Sequence, residues 1–276
     1  MSLAGPVAIE LDANDPLLDD HRPGGLPLFG TALSIETLCN AVLLAGPTGD
    51  IAAIEEIEVC KPCILDTGAR RHIFTALGPV TQDAQGRRVV ARLLSPAESG
   101  GEQLHLRSQF RLDPTVAWPV AQQDVATMMD QVTGRDIYAA YFHGPSFQVI
   151  SAAQFRDGAV TSRLSTSPAV AALPVIARLI EFALQSAGLL ELAQTGRMMI
   201  PHAIGTIYVG RAAVTGPAYA MARRCSPAAD EGDIDITVVD GLGATLAVIQ
   251  RYQTTPLPFT SSSSAVAMLA GRLNAH

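Results

Sequence analysis

A chain of 276 residues is long enough for one large domain or two fused small ones, each with a sizeable core. Its 48% apolar and 16% charged residues describe a folded chain, and a net charge of -7 argues against broad nucleic-acid binding, which needs dense Lys and Arg to displace counterions from phosphates. Four cysteines make no disulfide framework and no charged and apolar leader opens the chain, so a reducing cytoplasm is the default expectation.

In chain order, "VAIELD" reads as a first strand, and "LLDDHRPGGLPLFG" (17–30) as a turn fixed by Gly and Pro that aims His21. "TALSIETLCNAVLLAG" (31–46) reads as a helix stopped by Gly46 and Pro47. "IAAIEEIEVC", "RRHIFTALG", "RRVVARLLS" and "QLHLRSQFRL" follow, several alternating apolar with polar as half-buried antiparallel strands do. "CKPC" (Cys60 to Cys63) has redox or metal half-site spacing, but no second pair or histidine cluster completes four ligands, so neither a metal nor another cofactor is expected. The basic pairs Arg70 with Arg71, Arg87 with Arg88 and Arg223 with Arg224 read as solvated strand ends.

From about Asp113 to Gly144 a stretch with Pro114, Pro119 and the sole Trp118 reads as a connector with room for a short helix. "FQVISAAQFRDGAVTSRLS" is one more strand candidate, and "PVIARLIEFALQSAGLLELA" (174–193) a second long helix with Pro174 at its first position. The apolar run Ala169–Leu190 carries Arg178, Glu181 and Gln185 in its middle, groups costly in hydrocarbon, so a buried helix is expected and no membrane span. "HAIGTIYVG", "AYAMARRC", "DIDITVV" and "ATLAVIQRYQT" supply another strand series, before a tail that begins as a linker and ends in a frayed helix.

Strand, loop, long helix and strand meander thus occur twice, an α+β pattern in which a curled antiparallel sheet wraps one apolar helix and the unit is duplicated by fusion. The expected division is 1–113 for the first half, 114–144 for the connector, 145–258 for the second half and 259–276 for the tail. His21 is either a bystander in a surface turn or a base. Glu181 and Gln185 lie four apart, hence on one helix face. Glu181 has an alternative partner in Arg178, whose charge would depress its pKa. His143 reads as a strand-end histidine, and His72, His105 and His202 receive no role.

Three elements together resemble the dehydratase domains of polyketide synthases and polyunsaturated-fatty-acid-type synthases. "DPLLDDHRPGGLPLFGTALSIE" is similar to that family's H-x-x-x-G-x-x-x-x-P element through His21 and Gly25, with Gly30 where the proline is expected. "YFHGPSFQ" is similar to its G-Y-G-P-x-F-like element through Gly144, Pro145 and Phe147. "LIEFALQSAG" is similar to its D-x-x-x-Q/H element, with Gln185 matching and Glu181 where the family usually has Asp. "IEEIEVCKPCILD" is similar to the strand pair that follows the first element in the family, and the resemblance spans roughly residues 7–255.

The resemblance implies a double hot-dog fold and removal of water from a β-hydroxyacyl thioester held on acyl carrier protein. In that reaction His21 is the base and Glu181 the acid, kept partly neutral by burial in an apolar channel. Gln185 orients the carboxyl or the departing water. Gly25, Gly30, Tyr141, Gly144, Pro145 and Phe147 are the expected substrate-binding residues, with Phe29, Phe147 and Phe182 lining an acyl tunnel. A homodimer is a further expectation. Two rival readings share the fold: a noncatalytic acyl-binding or scaffold module, and a cyclase acting on a longer poly-keto chain.

Overall fold

Both strand series form in the computed structural model, which describes residues 7–45, 50–84, 86–112, 128–210, 214–226, 232–257 and 263–275. The first half runs β1 (Ala8–Asp12), a single-turn α1 (Pro16–Asp19), β2 (Leu28–Phe29), α2 (Thr31–Leu44), β3 (Ala53–Val59), β4 (Cys63–Ile64), β5 (Arg70–Leu77), β6 (Thr81–Asp83), β7 (Gly86–Pro96) and β8 (Glu102–Arg111). The second runs β9 (Val132–Thr133), α3 (Gly134–Ala140), β10 (Ile150–Arg156), β11 (Ala159–Leu164), α4 (Val175–Thr195), β12 (Met199–Val209), β13 (Ala218–Arg224), β14 (Ile234–Asp240), β15 (Thr245–Pro256) and α5 (Ser263–Leu273).

One antiparallel sheet holds β1-β5-β7-β8-β3-β12-β15-β14-β13-β11-β10-β9 in that order, with β6 paired to β7, while β2 and β4 form a separate ribbon. The order read outward from the centre, β3-β8-β7-β5-β1 on one side and β12-β15-β14-β13-β11 on the other, is the same permutation of each half's strands. The halves meet where β3 pairs with β12, in register Ala203 to Glu58, Ile204 to Ile57, Thr206 to Glu55 and Ile207 to Ile54. This is the double hot-dog arrangement, with the sheets continuous and α2 packed against α4 beneath the junction.

Helix α4 forms because its interior is apolar nearly all round, which suits a helix covered on every side. Ile176, Leu179, Ile180, Phe182, Leu189, Leu190 and Leu192 are all buried, and burial of each such side chain contributes about 1.5–3 kcal/mol. Pro174 stands at the N-cap, one residue before the first helical position, and Gly196 closes the helix in the left-handed region at φ 68°. Glu191 is tolerated inside because the Arg224 guanidinium grips it, with Nη2 2.7 Å from Oε2. Arg224 is therefore a buried ion-pair partner and not the solvated strand end expected of it.

The two long helices share more than a shape. Both read Ile-Glu followed four residues later by an amide, as Ile35, Glu36, Asn40 and as Ile180, Glu181, Gln185. Glu36 is buried, accepts from Asn40 Nδ2 at 3.4 Å, and accepts the Ala177 N–H at 2.9 Å in the first turn of α4.

Two expectations change. The stretch 147–165 is not one strand but the hairpin β10–β11, turned by Asp157 at φ 51° and Gly158 at φ 73°, the paired left-handed residues of a type I′ turn. The C-terminal tail is docked rather than frayed: Val266, Leu269 and Leu273 are buried, and Gln131 Nε2 donates to the carbonyls of Arg272, Leu273 and Ala275 at 2.9, 2.9 and 3.1 Å. Cys60 and Cys63 are free thiols, and burial pushes Cys63 up to about 11, away from thiolate chemistry. The expected stop at Gly46 and Pro47, the connector residues 113–127 with Trp118, and the start of the tail at 258–262 lie outside the described residues. Among the described residues no helix is long and apolar enough to cross a membrane.

Candidate active site

His21 is placed by two turns, one from each half. After α1 the chain turns through Gly24 and Gly25 at φ 69° and 89°, a left-handed path that glycine takes without steric cost. The Leu28 N–H then donates to the His21 carbonyl at 2.9 Å, and the Gly144 N–H donates to the Asp20 carbonyl at 2.7 Å. The Asp20 carboxylate accepts the Ser146 N–H at 2.8 Å, and a Cβ at Gly144 would lie only 2.3 Å from that carboxylate. His21 and His143 consequently face each other as an isolated antiparallel bridge, ring centroids 5.3 Å apart.

The His21 imidazole is 5% exposed, with Phe147 at 4.7 Å and Phe142 at 5.5 Å between centroids. Its Nδ1 lies 2.8 Å from the Leu28 carbonyl. A carbonyl only accepts, so Nδ1 carries the hydrogen and Nε2 the free lone pair. Burial, with the neighbouring His143 second, brings His21 down to about 4. At neutral pH it is an uncharged imidazole, the state a base requires. The absence of a side chain at Gly30 lets the ring sit where it does, since a Cβ there would be 2.8 Å from Cε1.

Opposite it, α4 presents Glu181 and Gln185, 6% and 4% exposed. A directed chain of donors ends on the carboxylate: the Ile150 N–H donates to Tyr138 Oη at 2.8 Å, Tyr138 donates to Gln185 Oε1 at 2.8 Å, and Gln185 Nε2 donates to Glu181 Oε1 at 2.8 Å. The same Nε2 holds the Phe147 carbonyl at 2.9 Å. His143 Nε2 stands 3.4 Å from Glu181 Oε1. Burial works to raise the Glu181 carboxyl, yet the His143 contact and charge, His21 and the Gln185 amide together hold it below the usual range. The expected raised carboxyl is thus reversed in direction, and the agent is His143 rather than Arg178.

These groups open on a cavity of about 290 Å³. Its polar end is His21, His143, Glu181, Gln185 and Tyr141, and its apolar wall includes Leu28, Ile64, Phe142, Leu184 and Met198–Pro201. Of the six expected substrate-binding residues only Tyr141 lines it. Gly25 shapes the turn, Gly30 yields room to the imidazole, Gly144 packs on Asp20, Pro145 starts a tight turn, and Phe147, wholly buried, backs His21. The tunnel expectation for Phe29, Phe147 and Phe182 fails likewise: Phe182 is wholly buried in the core, and Phe29 lines an adjacent cavity of about 150 Å³.

Sequence reasoning missed His143 and Tyr138. His143 carries the same signal as His21, an imidazole at the edge of a glycine and proline turn, and Tyr138 sits on α3, which ends just before Tyr141. His21, His143 and Glu181 each bring a metal-ligating atom within 4.8 Å of the others. Two imidazoles and a carboxylate are a donor set that transition cations accept. His105, by contrast, is a satisfied structural histidine, its nitrogens 3.0 Å from the Lys61 carbonyl and 2.8 Å from Ser95 Oγ.

The family model for the polyketide synthase dehydratase N-terminal domain matches residues 114–263, more than half of the chain. No curated protein matches. Among solved structures, the dehydratase domain from the CurF module of curacin polyketide synthase is similar with a TM-score of 0.76, at 16% identity over 93% of this chain and 96% of that one. A trans-AT polyketide synthase dehydratase domain from Brevibacillus brevis follows at 0.74, with 18% identity over 92% and 94%. An inactive Asp-to-Asn mutant of the CurK dehydratase superposes at 0.77, with 17% identity over 93% and 94%.

Proposed function

The chain belongs to the polyketide synthase dehydratase family, and we propose that His21 and Glu181 together remove water from a 3-hydroxyacyl thioester carried on acyl carrier protein, giving the enoyl thioester. One observation carries this reading: an uncharged imidazole from the first half and a buried carboxyl from the second meet at the polar end of one apolar cavity.

The proton beside a thioester carbonyl is weakly acidic, so the base must hold its lone pair at neutral pH and sit close. His21 Nε2 meets both needs, with Nδ1–H fixed on the Leu28 carbonyl. The developing enolate oxygen needs donors already in place. Helix α2 has no side-chain cap, and Thr31 at its start lines the cavity, so its first-turn N–H groups and the positive end of its dipole serve that oxygen. The Gly144 N–H cannot, being spent on the Asp20 carbonyl. Glu181 gives a proton to the 3-hydroxyl, and Gln185, fastened to Tyr138 and the Phe147 carbonyl, fixes the carboxyl's direction. A glutamate carboxyl reaches about 1.5 Å further from its helix than an aspartate's, so the reacting carbon sits correspondingly further from α4. Burial of two imidazoles against a carboxylate costs folding energy that a passive acyl-binding module would have no reason to retain.

The test is mass spectrometry of a 3-hydroxyacyl carrier protein incubated with the protein. Loss of one water is expected from the parent, and none from His21→Ala or Glu181→Gln. A parent that binds the acyl carrier without releasing water would favour the scaffold reading. Conversion of poly-keto chains alone would favour the cyclase.

A further inference from the structure

The reaction just described uses His21, Glu181 and Gln185 and leaves His143 without a duty. His143 stands where the G-Y-G-P-x-F-like element has tyrosine, and Glu181 where the D-x-x-x-Q/H element has aspartate. The two departures meet beside His21. We propose that His21, His143 and Glu181 form a three-ligand site for a transition cation of the zinc class and, resting on the dehydratase reading, that the bound cation reversibly silences the elimination.

The geometry fits zinc closely. All three residues are buried, and one ligand atom from each lies within 4.8 Å of the others. Zinc bonds to imidazole nitrogen and carboxylate oxygen at about 2.0–2.2 Å, so two such ligands in a tetrahedral shell stand about 3.3–3.5 Å apart. His143 Nε2 and Glu181 Oε1 are 3.4 Å apart, a bite that needs no movement. The His21 Nδ1–H rests on the Leu28 carbonyl at 2.8 Å, which leaves Nε2 as the ligand atom. Such a second hydrogen bond is what fixes the ring of a metal-bound histidine. Glu181 is steadied in the same way by Gln185 Nε2 at 2.8 Å.

The surroundings suit a cation. Among the described residues no lysine or arginine lines the cavity, and none forms an ion pair with Glu181. His143 Nδ1 is buried without a hydrogen-bond partner, so the ring's one polar contact is with Glu181 and nothing ties it to a structural duty of the kind His105 performs. The cavity of about 290 Å³ leaves room for water as a fourth ligand. Two nitrogens and one oxygen select zinc and its neighbours over magnesium and calcium, which take oxygen ligands and more of them.

Binding and turnover exclude one another because they use the same atoms. The His21 Nε2 lone pair that would take the C2 proton is the pair that bonds to the metal. The Glu181 carboxyl that would serve the departing hydroxyl is held by it as well. The cation makes and breaks no bond of the substrate; it occupies the base and the acid.

The test uses zinc itself on protein freed of metal by EDTA. One zinc per chain is expected after dialysis, with cobalt in its place showing the intense visible bands of a four-coordinate ion and no uptake of magnesium. His143→Phe keeps a ring to stack on Phe142, 4.2 Å away between centroids, but has no ligand atom, and should bind zinc about a hundredfold more weakly. Zinc should raise the urea midpoint of the parent and not that of His143→Phe, a reading that needs no turnover and shows the variant folded. With free zinc at about a hundred times Kd, water release from a 3-hydroxyacyl carrier protein should fall about a hundredfold and return with EDTA, while the rate of His143→Phe does not respond. Equal zinc affinity in parent and variant would overturn the site and place the metal elsewhere, as on the exposed thiols of Cys60 and Cys225. Undiminished water release with the site filled, or release that requires zinc, would overturn the silencing. A parent that binds zinc through His143 yet releases no water with or without metal would remove the dehydratase reading, and the silencing with it, while the zinc site stands.

Discussion

The two glycines flanking the His21 turn do different jobs, and alanine separates them. Gly30 has φ -68° and ψ 167°, which alanine adopts freely, so Gly30→Ala adds no backbone strain beyond about 1 kcal/mol for a poorer N-cap. What it adds is a methyl 2.8 Å from His21 Cε1, when ordinary contact begins at 3.4 Å, so the ring must retreat by the difference, 0.6 Å. That movement pulls on the Nδ1 bond to the Leu28 carbonyl and on the packing against Phe147, 4.7 Å away between centroids. A misplacement of this size in a base costs about tenfold to a hundredfold in kcat. Gly25 is the control: at φ +89° alanine costs about 1–2 kcal/mol in strain, yet nothing lies within 4 Å of the added carbon. Initial rates on a 3-hydroxyacyl carrier protein, with urea midpoints for both variants, make the comparison. Similar stability losses are expected, with the rate collapsing only in Gly30→Ala and staying within about threefold in Gly25→Ala. Equal rates in the two variants would refute the close-approach argument.

Gln185→Leu, nearly isosteric, strands the Tyr138 hydroxyl and the Phe147 carbonyl, and is expected to lower unfolding free energy by about 1–3 kcal/mol in urea titrations. His21 titrates from 6.5 in the unfolded chain to about 4 in the folded one, so the unfolded state takes up its proton first as pH falls. Stability should therefore drop between about pH 6.5 and 4, by about 3 kcal/mol from this group, and His21→Gln should flatten that part of the curve in urea titrations across pH. Glu36→Ala removes the acceptor for the Ala177 N–H and should cost about 1 kcal/mol in stability, with the water-elimination rate within twofold of the parent.

Hydrophobic periodicity made both helices and the duplicated order of elements legible, because the apolar faces must find cover whatever the topology. The Asp157-Gly158 turn was equally readable as a type I′ signal inside a run that otherwise looked like one strand. The site was legible in its members and less so in its electrostatics. Sequence put His21 with Glu181, but the state of a buried carboxyl depends on what faces it, and the decisive neighbour comes from a segment 38 residues away. Glycine roles were the least readable. A motif marks where glycine stands but not whether its missing side chain admits a ligand, a ring or another backbone, and Gly30 and Gly144 admit a ring and a carboxylate of the protein itself.

The duplication also explains why, in the proposed reaction, one half supplies the acid and the other the base. Helices α2 and α4 carry the same glutamate and amide, but the connection into α2 runs through residues 13–30 and that into α4 only through 165–174. The longer connection has room for a turn that brings an imidazole over to the partner helix, and His21 stands on it. The shorter one carries no histidine and lays the amino end of α4 directly against Glu36. Glu181 instead faces His143 Nε2 at 3.4 Å and accepts from the Gln185 amide at 2.8 Å. The same side chain is thus a cap in one copy and, in the proposed reaction, the acid in the other, and the difference lies in eight residues of loop rather than in either helix.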